Sequence, residues 1–464
     1  MWHYVPKIKK FVEDFNAVGD DATDNYPAAL QAVGHMAWGG HVESGPGVFR
    51  VSDWPEMNMC NGGFHGAGPG GNLPNYTTGA LGTVVRHTVD ADFWKFGSGA
   101  RDLEFSGFAL QPVLKKTGTN AEIVFKDRSN TIHFKKIRGN YPNVFARNEG
   151  GVHHIMEDAH IFAPSGSSGW YAKGAPSGNR SEGLTLVRCT SYTPHKVNLA
   201  PEANNLKDYA ATTVWTTGWW TFAGGWLLQC TQGGTRGASF PGVPAFTNAA
   251  DHTGSEIIDG GVKWNAVCKA DYAAVDADTK GDYFTLLLCR LLQGVHAVRM
   301  RNSLSTNPAD RPKEMLIYGG QWDHNAGNSC QIEECASFQF DGRIDSTRGY
   351  GIWFGSGTAR RMVNPSRIAN CDLGQIGTQD AWPWKADDCI LGMTPLDGVL
   401  MRGPQGDFQL DFFNTDARNM IWRSRDPSTG AILQQWSDRI LPNGDMLRRD
   451  DTGPNVAQYP FAKA

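Results

Sequence analysis

Hydrolysis of a glycosidic bond needs two carboxylates flanking it, about 5 to 5.5 Å apart for retention or about 6.5 to 9.5 Å apart for inversion. Acidic residues that the chain can bring together are therefore the first to consider. In GGQWDHN, Asp323 stands between Trp322 and His324, which offer a stacking surface and a polar partner; Asp345 follows in FQFDGRIDS, with Asp341 before it on the same strand. Turn carboxylates that bond backbone amides are the plainer reading of both. Glu157 and Asp259 are further candidates within apolar strands. Elimination from a uronic acid asks instead for a base and a cation. GGVHHIMEDAHIF offers His153, His154 and His160, with Lys135, Arg138, Tyr171 and Lys173 on nearby segments. By alternation His154 points inward, which leaves His160 as the candidate base. His153 and His154 point to opposite faces, which counts against a metal site, and no metal or cofactor is expected. In TTVWTTGWWTFAGGW, Trp215, Trp219, Trp220 and Trp226 crowd together. Flat rings stack on the C–H faces of sugars, so Trp215, Trp219 and Trp220, with Trp322 and His324, are the candidate sugar contacts. A buried mini-core that packs the loop down is the alternative.

The elements that must hold these groups are strands. Gly (55) and Pro (24) are spread through the 464 residues, which implies many turns, and the 43 basic against 47 acidic residues leave a net charge of −4. With no run of like charges, nucleic acid and an anionic membrane are poor partners. Nine cysteines lack metal-ligand spacing and read as reduced core residues. The start MWHYVPKIKKF has no apolar signal region, and no long apolar stretch follows, so synthesis in a cytoplasm without membrane insertion is expected. An alternating strand ending in a small or turn residue recurs about every 29 residues. Taken as equivalent, Phe105, Phe134, Met156, Leu186, Leu227, Ile258, Leu286, Ile317, Phe340 and Ile368 form an inward column. No amphipathic helices bridge the strands, so a parallel β-solenoid is predicted, all-β in class, whose coils stack about 4.8 Å apart. The next residues form an outward column in which Asp259 falls between Leu228 and Leu287. Apolar Val187, Leu228 and Leu287 on that face point to cover by another copy of the chain. Glu157 sits one coil from Lys135, a setting for a surface ion pair, and lies three coils from Asp259, too far for the two to act together. Asp323 and Asp345 fall near one corner on adjacent coils, the right range for a catalytic pair.

Near the start, DFNAVGDDATDNYPAALQAV followed by HVESGPGVFRVS resembles the N-terminal signature of the pectate-lyase-like right-handed β-helix superfamily, especially phage tailspikes and other polysaccharide depolymerases. Asp14, Phe15, Ala17, Gly19, Asp20, Thr23, Asp24, Pro46, Gly47 and Phe49 fit the family pattern, while Asn16 and Asp21 stand where glycine is usual. The segment reads as a tight turn and a helix from about Tyr26 to Met36, capped by Thr23 or Asp24, that closes the open end of the solenoid. The resemblance implies a right-handed parallel β-helix and a homotrimer that binds and cleaves a bacterial capsule, O-antigen or exopolysaccharide. Hydrolysis by acidic residues leads; a polysaccharide lyase, a sugar epimerase and a receptor-binding spike that does not cut are the alternatives. It also implies a place on the virion tail beside other phage tail proteins, acting outside the cell at the bacterial surface. No head-binding domain precedes residue 14, so a trimmed catalytic part or a spike attached through another protein is expected. Three regions are expected: a cap over 1–60, the β-helix with its groove over 61–394, and a β-rich cap or trimer clamp over 395–464, where short strands alternate with PSTG and PNG turns.

Overall fold

In the computed structural model, residues 8–69, 82–193, 200–201, 205–251, 256–365 and 367–379 are described, together with seven strands between 389 and 461. Parallel strands stack into the right-handed β-helix that the sequence implies, with three strands to each coil. Ala121–Phe125, Asn130–Lys135 and Arg138–Asn140 make up one coil, and Val144–Glu149, Val152–Glu157 and His160–Phe162 the next. Each strand pairs with the strand one coil on, so three flat faces run along the molecule. They are called the first, second and third faces, after the strand order within a coil.

The inward column of the second face follows from strict alternation. Val42, Phe64, Phe105, Phe134, Met156, Leu186, Leu286, Ile317, Phe340 and Val363 are successive register partners, all buried. The rings of Phe105 and Phe134 stack 5.0 Å apart. Three expected members are absent from this ladder. Leu186 pairs directly with Leu286, and Leu227 and Ile258 lie in an excursion, residues 193–272, inserted into a single coil. The error has a physical source: the excursion is itself made of alternating strands, Trp220–Ala223, Trp226–Gln232, Glu256–Asp259 and Val262–Lys269, and these pair antiparallel. Ile258, expected inside, is exposed, and Leu228, expected outside, is buried in the excursion's own core. Ile368, the last expected member, pairs with Ile344 on the third face.

Between the second and third faces the chain turns through one residue. Gly107, Lys136, Asp158, Arg188, Leu288 and Gly319 hold this position on successive coils, all with φ between 51° and 72°. A second column of left-handed residues ends the third face at Gln293, His324, Ser346 and Asn370. Side chains one and three residues before that second corner face outward and stack, while those two residues before it are buried.

At the N-terminus, the helix Tyr26–Met36 forms as expected and buries Ala28, Ala29, Ala32, Val33 and Met36. Its cap differs in detail: Asn25 is the cap residue and turns its side chain back to Val18, while Asp24 Oδ1 accepts from the backbone N–H of Tyr26 at 3.1 Å. Asn16 and Asp21, the two departures from glycine, both have φ 58°. Asn and Asp tolerate that conformation best after glycine, so the turn survives both replacements. Strand pairing already begins in this region, where Ile8–Lys10 pairs with His41–Ser44. At the other end Cys389–Met393 pairs in parallel with the solenoid, and six antiparallel strands follow from Val399–Gly403 to Ala457–Phe461. The expected boundary at 394–395 lies outside the described residues.

Candidate active site

The third face carries the candidate pair Asp323 and Asp345. Its outward column reads Arg138, His160, Thr190, Arg290, Gln321, Arg343 and Arg367, each the register partner of the next. Two residues further along the strands, Asp323 and Asp345 are register partners on adjacent coils. Alternation explains the placement: Trp322 and Ile344 between them point inward and are buried, so Gln321 with Asp323, and Arg343 with Asp345, face outward together. The backbones beneath the two carboxylates are about 4.8 Å apart.

The environments of the two acids differ. Asp345 accepts hydrogen bonds from Arg343 at 2.9 Å, Asn370 at 2.6 Å and Ser346 at 3.3 Å, with the Arg367 guanidinium 3.7 Å away. Burial would push its carboxyl up, but the bonds from Arg343 and Asn370 and the charges of Arg367 and Arg343 outweigh it and hold the carboxyl below its usual range. Asp323 receives one hydrogen bond, from the Gln321 amide to Oδ2, and its Oδ1 is buried without a hydrogen-bond partner. One carboxylate is thus fixed as an anion, and its neighbour has an uncommitted oxygen.

The other candidates are scattered. Glu157 sits on the second face, where Arg188 bonds it and Lys135 and His133 stand 3.4 and 3.5 Å away. The Arg188 bond, followed by Lys135, holds its carboxyl low. The ion pair expected from the sequence is present and engages the carboxylate fully. Asp259 is a correction. It is not on an outer column between Leu228 and Leu287 but buried in the excursion, accepting from Tyr209 Oη at 2.8 Å, the N–H of Gly237 at 2.9 Å and Trp264 Nε1 at 3.3 Å. These bonds make it a structural carboxylate. His160 lies on the third face next to Arg138, and burial, then the Arg138 charge, pulls its imidazole below 6.5 despite Asp158. His154 is inward, as expected, stacked 4.0 Å from Phe125.

Three tryptophans offered as sugar contacts are core residues. Trp322 is 1% exposed and packs its ring 4.9 Å from Phe340; Trp220 is fully buried, and Trp215 is 2% exposed. Trp322 is the inward residue between Gln321 and Asp323, and the other two are buried by the packing of the excursion. Trp220 and Leu227 join the cluster that runs through the solenoid, and Trp215, Leu228 and Trp264 form a separate core on the other side. Trp219 alone of the proposed platforms is half-buried, with Lys207 Nζ 5.1 Å from its ring centre. His324 sits at the left-handed corner beside Asp323.

No family model matches the chain, and no curated protein sequence matches it. Solved structures resemble it in fold. An ORF18 protein of Geobacillus virus E2 is 12% identical with a TM-score of 0.41, over 98% of this chain and 76% of that one. The gp42 tailspike of Acinetobacter phage vb_AbaP_AS12 is 9% identical with a TM-score of 0.40, over 99% of this chain and 82% of its own. The catalytic unit of a GH87 α-1,3-glucanase from Streptomyces thermodiastaticus is 11% identical with a TM-score of 0.36, over 82% and 68%. The likeness is of fold alone.

Sequence reasoning passed over Gln321, Arg343, Arg367 and Asn370. A signal was present: QWD, RID and RIAN are one motif repeated on successive coils, a polar residue, an inward apolar residue, then an outward one. Among the described residues, no group of three or more His, Cys, Asp or Glu is placed to hold a metal ion.

Proposed function

We propose that this chain is a polysaccharide depolymerase that hydrolyses glycosidic bonds in a bacterial capsule, O-antigen or exopolysaccharide at the Asp323–Asp345 pair. The observation that carries the reading is the pairing of two outward carboxylates on adjacent coils, one locked as an anion and one with a free buried oxygen. Separate environments for two neighbouring acids are what an acid and a nucleophile require. Asp345, held ionised by Arg343 and Asn370, attacks the anomeric carbon; Asp323 gives a proton to the leaving oxygen through Oδ1. Water then releases the sugar, with Asp323 as base. Side chains rising from backbones about 4.8 Å apart can bring their carboxyls into the range used for retention. Exposed Arg290, Arg343 and Arg367 beside the pair suit a polymer that carries acid groups.

The test is to incubate the protein with a panel of bacterial surface polysaccharides and follow chain length, new reducing ends and the absorbance of an unsaturated uronate. Shortening without that absorbance, lost in Asp323→Asn, supports hydrolysis at this pair. One observation favours elimination instead: His160, kept neutral by burial beside Arg138, has the parts of a base and a carboxylate clamp. Absorbance that depends on His160 would establish that reading. Binding without shortening would leave a receptor-binding spike. The same proposal includes a homotrimer on a phage tail, attached through other tail proteins and acting at the bacterial surface.

A further inference from the structure

Outside the carboxylate pair, the second face holds a chain of hydrogen bonds that neither the depolymerase reading nor the fold requires. Ser106 is the register partner of His65 on the adjacent coil, and its Oγ lies 2.9 Å from His65 Nδ1. The other nitrogen of that ring, Nε2, lies 2.9 Å from His41 Nδ1, with the two imidazoles stacked 5.2 Å apart. Two proton assignments satisfy these contacts, and in one of them Ser106 donates to His65 Nδ1 while His65 Nε2–H donates to His41 Nδ1. In that assignment the serine hydroxyl faces an acceptor nitrogen and a third residue holds the far side of the ring, the arrangement that activates a serine nucleophile.

Two further features surround the chain. A Cβ at Gly63 would clash with the Glu104 carbonyl oxygen, and it would also crowd His65 Nε2 at 3.0 Å and His41 Nδ1 at 3.1 Å. Of the three residues, His65 lines a cleft of about 450 Å³ together with Lys10, Glu13 and Glu43, large enough for an acyl group or a sugar ring. All three members of the chain are half-buried. Burial, with His41 beside it, holds the His65 imidazole below 6.5, while Glu104 and Glu43 oppose the shift, which favours a ring able to accept a proton at neutral pH. Lys135, the register partner of Ser106 on the next coil, places a cation on the same column.

We propose that Ser106, His65 and His41 form a second hydrolytic site, which removes short acyl esters such as O-acetyl groups on a sugar. Ser106 Oγ attacks the ester carbonyl carbon as its proton passes to His65 Nδ1. The tetrahedral adduct breaks its bond to the sugar oxygen, which takes the proton back from His65 and leaves as the alcohol. A water molecule, deprotonated by His65, then attacks the acyl-serine and releases the carboxylic acid. The sum is ester plus water to alcohol plus acid. His41 is a positioning residue that keeps the proton of His65 on Nε2.

A fluorophosphonate probe followed by peptide mapping tests the nucleophile in the unaltered protein. Labelling of Ser106 is expected; absence of label, or label on a different serine, overturns the proposal. With p-nitrophenyl acetate, Ser106→Ala and His65→Ala should each lower turnover about 100-fold or more at unchanged melting temperature. Undiminished turnover in Ser106→Ala overturns the proposal as well. His41→Asn should shift the pH profile of kcat/KM, which a merely structural residue would not do. Asp323→Asn should leave ester turnover intact, so the two sites succeed or fail separately.

Discussion

Asp323 and Asp345 differ in their neighbours more than in their position, and the difference gives each its own prediction. Asp323→Asn keeps the shape of the site and removes the proton donor; polymer cleavage should fall about 100-fold or more, as for the loss of a general acid, while binding of the polymer persists. Asp345→Asn removes the charge that Arg343 and Arg367 balance, so it should abolish turnover and also change the affinity for charged polymer. Glu157→Gln is the control. Its carboxylate is engaged by Arg188 and Lys135 on another face, and cleavage should be unchanged. Product analysis by NMR at early times should show the anomeric configuration retained. The histidines set a pH limit of their own. Burial, with the His153 charge behind it, lowers His154 from 6.5 to about 3, and burial lowers His296 to about 4. Between 6.5 and those values the unfolded chain binds protons that the folded chain does not, so stability falls as pH falls through this window. Melting temperatures measured from pH 7.5 to 4 should decline, and His154→Gln should decline less.

At the scale of the element, what could be read in advance was whatever the strand period controls. The second face's inward column was legible from Phe105 to Leu186 and again from Leu286 to Phe340, because alternation with a turn at its end leaves one register that buries the apolar set. For the same reason the meeting of Asp323 with Asp345 could be inferred from their offsets after Ile317 and Phe340. The excursion was not legible, since antiparallel and parallel strands share a period of two, and nothing in Leu227 or Ile258 reveals which partner it takes. Asp259 was misplaced by that ambiguity, whereas Trp322 is buried because alternation turns it inward between Gln321 and Asp323. The tryptophans now separate by burial. Trp220→Ala should cost about 3 to 5 kcal/mol of stability, measured by denaturant unfolding, and Trp219→Ala should leave stability nearly unchanged. If the excursion reaches bound polymer, Trp219→Ala alone of the pair should weaken binding without unfolding the chain.

For the whole molecule, the second face presents Ile155, Tyr318 and Leu288 to solvent, with Leu288 61% exposed at a corner where its left-handed backbone pushes it outward. Val187 and Leu287, register partners beside them, extend the apolar strip. Cover by two further copies of the chain is the arrangement the proposed trimer supplies. Leu288→Glu should then lower the mass measured by light scattering to that of a monomer without melting the coils. The excursion has a consequence of a different kind, for how the molecule forms. Each coil of a stack is nucleated by the one before it, and every step but one closes a loop of about 20 to 40 residues. The step from Leu186 to Leu286 must bridge about a hundred, which adds on the order of 1 kcal/mol of closure entropy unless the excursion's own sheet assembles first. Propagation should therefore pause there, leaving a transient species with the coils up to Tyr192 formed and those after Ala273 still open. Its lifetime would be set by how fast an antiparallel sheet can fold beside an unfinished stack.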